Sequence, residues 1–290
     1  MSFFVLFPFL ILSLLPFPNN SHTRFRMEKI HYELWGRCRD FVEKVCAGRD
    51  PTHGLEHMET VAERALLIYF MLEPSLHQLA KVLDICNIIL VGMLHDVADH
   101  KYDVDGTLQK SLADFCTTEV EEHLTTIPGL QAPDAAEKAS FLSHLHKTID
   151  CISFSKEKSR GLRYYEKELP AEWLVVRNCV SDADKLEAIG PAGLLRCYEY
   201  SCARTSAECK KHPEKRFDSI AELEAYLLGE VDAHHDEKLS ILSSSYIVTP
   251  PGKFLSKSLD DSMLALLQKW KKSGPPSVTS YWPDCETVLR

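Results

Sequence analysis

The stretch VLDICNIILVGMLHD, Val82 to Asp96, decides how this chain is read. Toward its end the apolar residues fill nearly every position: Ile88, Ile89, Leu90, Val91, Met93, Leu94. A helix that is apolar all round is a buried helix. The run ends on Leu94-His95-Asp96, so it delivers a His-Asp pair to the centre of a domain. Burying that carboxylate costs on the order of several kcal/mol unless something positive compensates. A divalent metal would compensate, and it would use the adjacent imidazole too.

Working outward, the apolar spacing predicts helices and nothing else. Upstream, Ile30, Leu34, Trp35, Cys38, Phe41, Val42 and Val45 recur at helical period, and Gly48-Arg49-Asp50-Pro51 ends that helix. A second helix runs from about His53 through His57, Val61, Ala65 and Ile68 to Met71, and Pro74 separates it from the buried helix, Ser75 to about His95. Downstream, Val97 to Gly106 reads as a loop, then helices span about Leu108–Leu124 and Asp134–Ile152, parted by Pro128-Gly129 and Pro133. The charged segment Ser155–Pro170 reads as a surface loop. A helix from Pro170 leads to Asp182-Ala183-Asp184-Lys185, and helices follow at about Leu194–Arg204, Ile220–Leu242 and Lys253–Lys272. Thr205–Phe217 reads as irregular, and the Pro- and Ser-rich tail 273–290 as loosely ordered. No convincing strand period and no repeat is present. The expectation is an all-α fold, one helical-bundle domain over residues 27–272.

Composition bounds the ligand. The formal net charge of −9 over 290 residues argues against a nucleic-acid polymer, which calls for a basic surface. A small phosphorylated ligand needs only a metal and one or two lysines. The ten cysteines contain no Cys-x-x-Cys pair and several sit in apolar helical contexts, such as Cys86 and Cys179. They read as buried thiols in a reducing compartment. Residues 1–26 carry an apolar run, Phe3 to Phe17, broken by Pro8 and Pro16. It is shorter than the roughly 20 residues of a membrane span and has the size of a signal-peptide core, yet no Lys or Arg precedes it. Secretory signal, membrane anchor and a leader absent from the working protein stay open. Met27 opens the first amphipathic helix, so a chain starting there would be soluble, and a cytoplasmic location is the expectation; a membrane partner enters only if the leader is retained.

His53 and His57 are four apart and share a helix face. Alone, such a pair is more often polar surface; it gains meaning from the His-Asp pair and from Asp182 and Asp184 at the end of another apolar helix. Two imidazoles with two carboxylates suit Mn²⁺, Fe²⁺, Co²⁺ or Mg²⁺ and admit Zn²⁺. Such a centre activates water against a phosphoester or phosphoanhydride. Directly after the pair, Asp99 could orient or deprotonate the water and Lys101 could meet a phosphate as a point charge; Asp99-His100-Lys101 reads equally as a solvated turn. Lys185 could contact phosphate or pair with Asp182. His144 and Lys147, and separately His234-His235, read as exposed helix faces. No P-loop and no Gly-x-Ser-x-Gly elbow is present.

Taken together, Asp50-Pro51-Thr52-His53-Gly54-Leu55-Glu56-His57, Leu94-His95-Asp96-Val97-Ala98-Asp99-His100-Lys101, Ile152-Ser153-Phe154-Ser155 and Ser181-Asp182-Ala183-Asp184-Lys185-Leu186-Glu187-Ala188-Ile189-Gly190 resemble the HD phosphohydrolase superfamily. Within it they resemble the branch similar to bacterial YpgQ and YedJ. The blocks cover about Met27 to Lys272 in the family's order. The resemblance implies an HD-domain bundle with a divalent metal, most often Mn²⁺, held by His57, His95, Asp96 and Asp184. It prefers Asp184 to Asp182 through the Ala183-Asp184-Lys185-Leu186 match, which leaves Asp182 beside the metal or facing substrate, the place that His53 takes from its position near the loop end of its helix. It also implies a hydrolase releasing pyrophosphate from nucleoside triphosphates, deoxynucleotides included. The rivals are a phosphomonoesterase or phosphodiesterase on another small phosphate ester, and a nucleotide-binding module without turnover. The chain departs from the family at Thr52 and Gly54 around His53, at Thr60 and at Glu187; none touches the four ligand positions, and the first two bear on substrate identity. The general base and the oligomeric state are left open.

Overall fold

The helical period is realised as ten α-helices among the described residues: α1 (Lys29–Val45), α2 (Leu55–Leu72), α3 (Gln78–Leu94), α4 (Thr107–Glu122), α5 (Ala135–Asp150), α6 (Phe154–Arg160), α7 (Ala171–Ala188), α8 (Gly190–Lys211), α9 (Ile220–His234) and α10 (Pro250–Ser273). They come from a computed structural model that describes residues 27–49, 53–72, 78–122 and 134–290. The leader, residues 50–52, and the breaks at Pro74, Pro128-Gly129 and Pro133 lie outside the described residues. The one β pairing among the described residues is a single parallel bridge, Phe217 with Leu289. The protein is all-α, as its periodicity predicts. The chain forms two compact units, one ending at Ala183 and one spanning Asp184–Arg290; the boundary falls in the last turn of α7, which is itself unbroken. No helix of the described residues is long and apolar enough to cross a membrane.

In the first unit α3 is the central element. Cys86 and every residue from Ile88 to Leu94 except Gly92 rank among its buried apolar side chains. Helices α1, α2 and α5 pack against it, and α5 also packs on α4. Gly92 lets α2 approach closely: a Cβ there would lie 2.8 Å from the Cα of Ala62. Tyr69 adds a tie between the same two helices, donating to Asp84 Oδ2 at 2.6 Å. On α1, His31 is wholly interior. Its Nδ1 accepts from the Glu28 amide at 2.9 Å, so its Nε2–H donates to the Val82 carbonyl at 3.1 Å. Burial lowers its pKa. Arg37 Nε donates to both carboxylate oxygens of Glu119, at 2.9 and 3.0 Å, and the Phe41 and Phe115 rings stack beside it with centroids 4.2 Å apart.

Ser155–Pro170 departs from its reading as a surface loop. It forms α6 and a 3-10 turn at Tyr164–Lys167, with Glu157 and Tyr165 inside the protein. The charge is accommodated by pairing: Arg177 Nη2 meets Glu157 Oε2 at 2.7 Å with both side chains 0% exposed. Arg177 Nε also donates to the Cys151 carbonyl at 3.1 Å, and its guanidinium lies 3.4 Å from the Tyr165 ring centroid.

In the second unit α8 packs on α9 and α10. It continues to Lys211, beyond the expected end near Arg204, because Tyr198, Cys202, Thr205 and Cys209 keep one buried face at helical spacing. Helix α9 ends at His234, short of the expected Leu242, and two π-helical turns follow, His235–Leu239 and Leu242–Tyr246. Gly190, at φ +81°, makes the sharp turn from α7 into α8. The tail is not loose. Val278, Trp282, Cys285 and Val288 are buried, and Phe217 exchanges backbone hydrogen bonds with Val288 and Arg290. All ten cysteines are free thiols, and nine of them are buried, Cys197 being half-buried.

Candidate metal centre

Three elements supply the polar groups. Helix α2 opens at Leu55 and turns His57 inward, 6% exposed, in line with Met58, Val61 and Ala65 on its apolar face. Helix α3 ends at Leu94, so His95 and Asp96 sit in the turns that follow. Helix α7 carries Asp182, Asp184 and Lys185 in its last two turns.

The ligand atoms of His57, His95 and Asp184 all lie within 4.8 Å of one another. The His57 and His95 rings meet edge to face, centroids 5.3 Å apart. Asp96 flanks both: its Oδ2 is 3.8 Å from His57 Nε2 and its Oδ1 is 3.9 Å from His95 Nε2. These separations exceed hydrogen-bond length. They match donors sharing one ion, since ligands about 2.1 Å from a metal stand about 3–4.2 Å apart. His95 is oriented for the role: its Nδ1 donates to the Gly92 carbonyl at 2.8 Å. The neutral ring therefore keeps its lone pair on Nε2. The group of His57, His95 and Asp184 could hold a divalent ion, and Asp96 lies beside its two histidines.

The remaining predicted residues fall into two places. Asp182 is fully buried and Lys185 is 1% exposed, so both belong to the interior around the last turns of α7; Asp182 helps raise the pKa of the neighbouring Cys179 thiol, though burial is the larger cause. His53 and Lys101 meet at the rim, Lys101 Nζ lying 3.4 Å from His53 Nε2. The His53 ring is 6.4 Å from that of His57 and 5.8 Å from that of Tyr102. Asp99 accepts from the Lys101 amide at 2.8 Å and lies 3.4 Å from His100 Nδ1, which folds the turn on itself.

Arg49 escapes a reading by pattern, because it lies in a helix-breaking Gly-Arg-Asp-Pro segment. Its Nη1 donates to the Asp96 carbonyl at 2.8 Å and its Nη2 to the Val97 carbonyl at 2.6 Å. Its guanidinium also lies 4.3 Å from the Tyr102 ring centroid. Two expectations of exposure need correction. His144 is half-buried with its ring 6.2 Å from that of Trp173, while Lys147 is exposed as expected. His234 and His235 are half-buried as well, at the point where the α-helix gives way to a π-helical turn. His235 groups with Asp232 and Asp236, of which Asp232 is paired with Lys271.

No protein-family model matches the chain, and no curated protein matches it. Solved structures do. A Lactobacillus plantarum protein is 19% identical with a TM-score of 0.51, over 85% of this chain and 98% of that one. Bacillus subtilis YpgQ is 18% identical with a TM-score of 0.49, over 85% and 98%. YpgQ in complex with ADP is 18% identical with a TM-score of 0.46, over 86% and 98%. The chain's likeness to the Lactobacillus plantarum protein is one of fold.

Proposed function

We propose that this protein is a divalent-metal-dependent phosphohydrolase acting on a small nucleotide, most specifically a nucleoside triphosphate pyrophosphohydrolase. The observation that carries the reading is the meeting of the ligand atoms of His57, His95 and Asp184 within 4.8 Å of one another, with Asp96 beside the two histidines. These four residues are assigned as the ligands; their nitrogen and oxygen donors suit Mn²⁺, Fe²⁺, Co²⁺ or Mg²⁺, and the family resemblance makes Mn²⁺ the choice among them. Such an ion, when bound, supplies Lewis acidity toward phosphoryl oxygen and water.

The chain's own residues do the rest. Lys101, exposed at the rim beside His53, offers its ammonium to a phosphate oxygen. Asp99, half-buried in the same turn, offers a further carboxylate to receive a proton from water. In the reaction a water oxygen bonds to the α-phosphorus, the bond from that phosphorus to the bridging oxygen breaks, and pyrophosphate leaves. The preference for nucleotides follows from the motif resemblance.

The test uses the full chain, stripped of metal and reloaded with Mn²⁺, Mg²⁺ or Co²⁺. It is offered nucleoside triphosphates, their deoxy forms, monophosphates and cyclic nucleotides, with products identified by phosphorus NMR. Metal-dependent pyrophosphate release, abolished by Asp184→Ala and by His95→Ala, is the expected result. Orthophosphate alone would make the protein a phosphatase. Saturable nucleotide binding without turnover would make it a binding module.

A further inference from the structure

We infer that Arg49 is a positioning residue of this centre, a side chain that holds the ligand turn and the phosphate-facing rim in register. The inference rests on the proposed metal reading.

The last carbonyls of a helix have no partner within it, and the same end carries the negative pole of the helix dipole. Here that end is α3, and the chain places the Asp96 carboxylate just beyond it. A cation at this point meets that negative pole, and the carbonyls it finds are those just past the helix, of Asp96 and Val97. Arg49 reaches it from the segment after α1 and donates to two successive carbonyls, Asp96 and Val97. The Asp96 carbonyl also accepts the Asp99 amide at 3.2 Å, and the Asp99 carbonyl accepts the amides of Tyr102 and Asp103 at 2.9 and 3.0 Å. The whole turn 96–103 therefore starts at the carbonyl that Arg49 holds.

The guanidinium's flat face then does a second job. It lies against Tyr102, whose ring neighbours His53, and His53 meets Lys101. One planar group thus reaches the ligand residue Asp96 through its carbonyl and the rim through Tyr102. Lysine could not replace it. An ammonium is a point charge and cannot bridge two carbonyls in a fixed fork while stacking on an aromatic ring.

The test reads metal binding directly, by Mn²⁺ paramagnetic resonance on the full chain without substrate. Arg49→Ala and Arg49→Lys are each expected to bind Mn²⁺ about 10–100-fold more weakly than wild type, the range for residues that orient ligands from outside the coordination sphere. Millimolar guanidinium ion is expected to restore part of the loss in Arg49→Ala and none in Arg49→Lys, whose side chain still fills the space. A role confined to general stability would show no such rescue. Should Arg49→Ala fail to fold, Arg49→Lys keeps the charge and decides alone. Wild-type affinity in Arg49→Lys, or in a folded Arg49→Ala, overturns the inference. Absence of Mn²⁺ binding in wild type overturns the metal reading itself.

Discussion

Gly92→Ala, set against Gly36→Ala, tests whether the close crossing of α2 and α3 builds the centre. A Cβ on Gly92 would stand 2.8 Å from Ala62 Cα and 2.9 Å from Ala62 Cβ, whereas a Cβ on Gly36 meets nothing within 4 Å. Carbon atoms rest about 3.5–4.0 Å apart, so the two helices must part by roughly 1 Å at the crossing. Overpacking of this kind costs about 1–3 kcal/mol. Both variants gain the same helix propensity, about 0.8–1.0 kcal/mol. Their difference therefore isolates the steric contribution. Gly36→Ala should be stabilised by about 1 kcal/mol and Gly92→Ala destabilised by up to about 2 kcal/mol. The two thus differ by about 1–3 kcal/mol, and at about 2–4 °C per kcal/mol they should melt roughly 2–12 °C apart in calorimetry. Metal binding should separate them as well. The carbonyl of Gly92 holds His95 Nδ1, and His57 lies on the helix that is pushed away. Mn²⁺ affinity should fall about tenfold in Gly92→Ala and stay at the wild-type value in Gly36→Ala. If Gly92→Ala melts with Gly36→Ala and binds Mn²⁺ like wild type, the crossing does not position the histidines.

The buried Glu157–Arg177 pair gives a second prediction. Glu157→Gln should lose about 3–5 kcal/mol in urea unfolding, because it strands a guanidinium with no water around it, and the double variant Glu157→Leu/Arg177→Met should recover most of that loss. A third concerns pH. Burial, then the like charge of Glu59, pushes the Glu63 carboxyl up to about 7 against the opposing pull of Arg64. The folded state thus favours the protonated form, so this group's contribution to stability is full below its unfolded value of about 4.3 and is lost as the pH rises through about 7. Melting temperatures taken from about pH 4 to 8 should fall less steeply in Glu63→Gln than in wild type, and parallel curves would contradict the assignment.

Much of the fold was legible because the determinants were local. Helices α1 to α5 follow from apolar spacing and from breaks at Gly and Pro, and the all-round apolar run before His95 placed α3 in the core. That His57, His95 and Asp184 belong to one centre was readable from their chemistry, and the resemblance chose Asp184 over Asp182, since no spacing relates residues on separate elements. What escaped depended on partners far along the chain. The segment containing Glu157 reads as surface because its charge is visible and Arg177, which neutralises it, lies 20 positions away. Helix α8 hid its last turns because Thr205 and Cys209 are weakly apolar, and their burial shows only once the helix is packed. Arg49 had no periodic signature, since its work is done by a guanidinium on backbone carbonyls 47 and 48 positions away.

The buried thiols have a practical consequence. A thiol must be ionised and reachable to react. Burial holds Cys86, Cys116 and Cys202 up at about 12, and Cys38, Cys86 and Cys116 in the first unit, like Cys202 and Cys285 in the second, are shut off from solvent. Each becomes labelled only when the structure around it opens. The chain therefore carries a native set of clocks in both units. Alkylation followed over time and resolved peptide by peptide would time the opening of each unit separately, with no probe engineered into the protein.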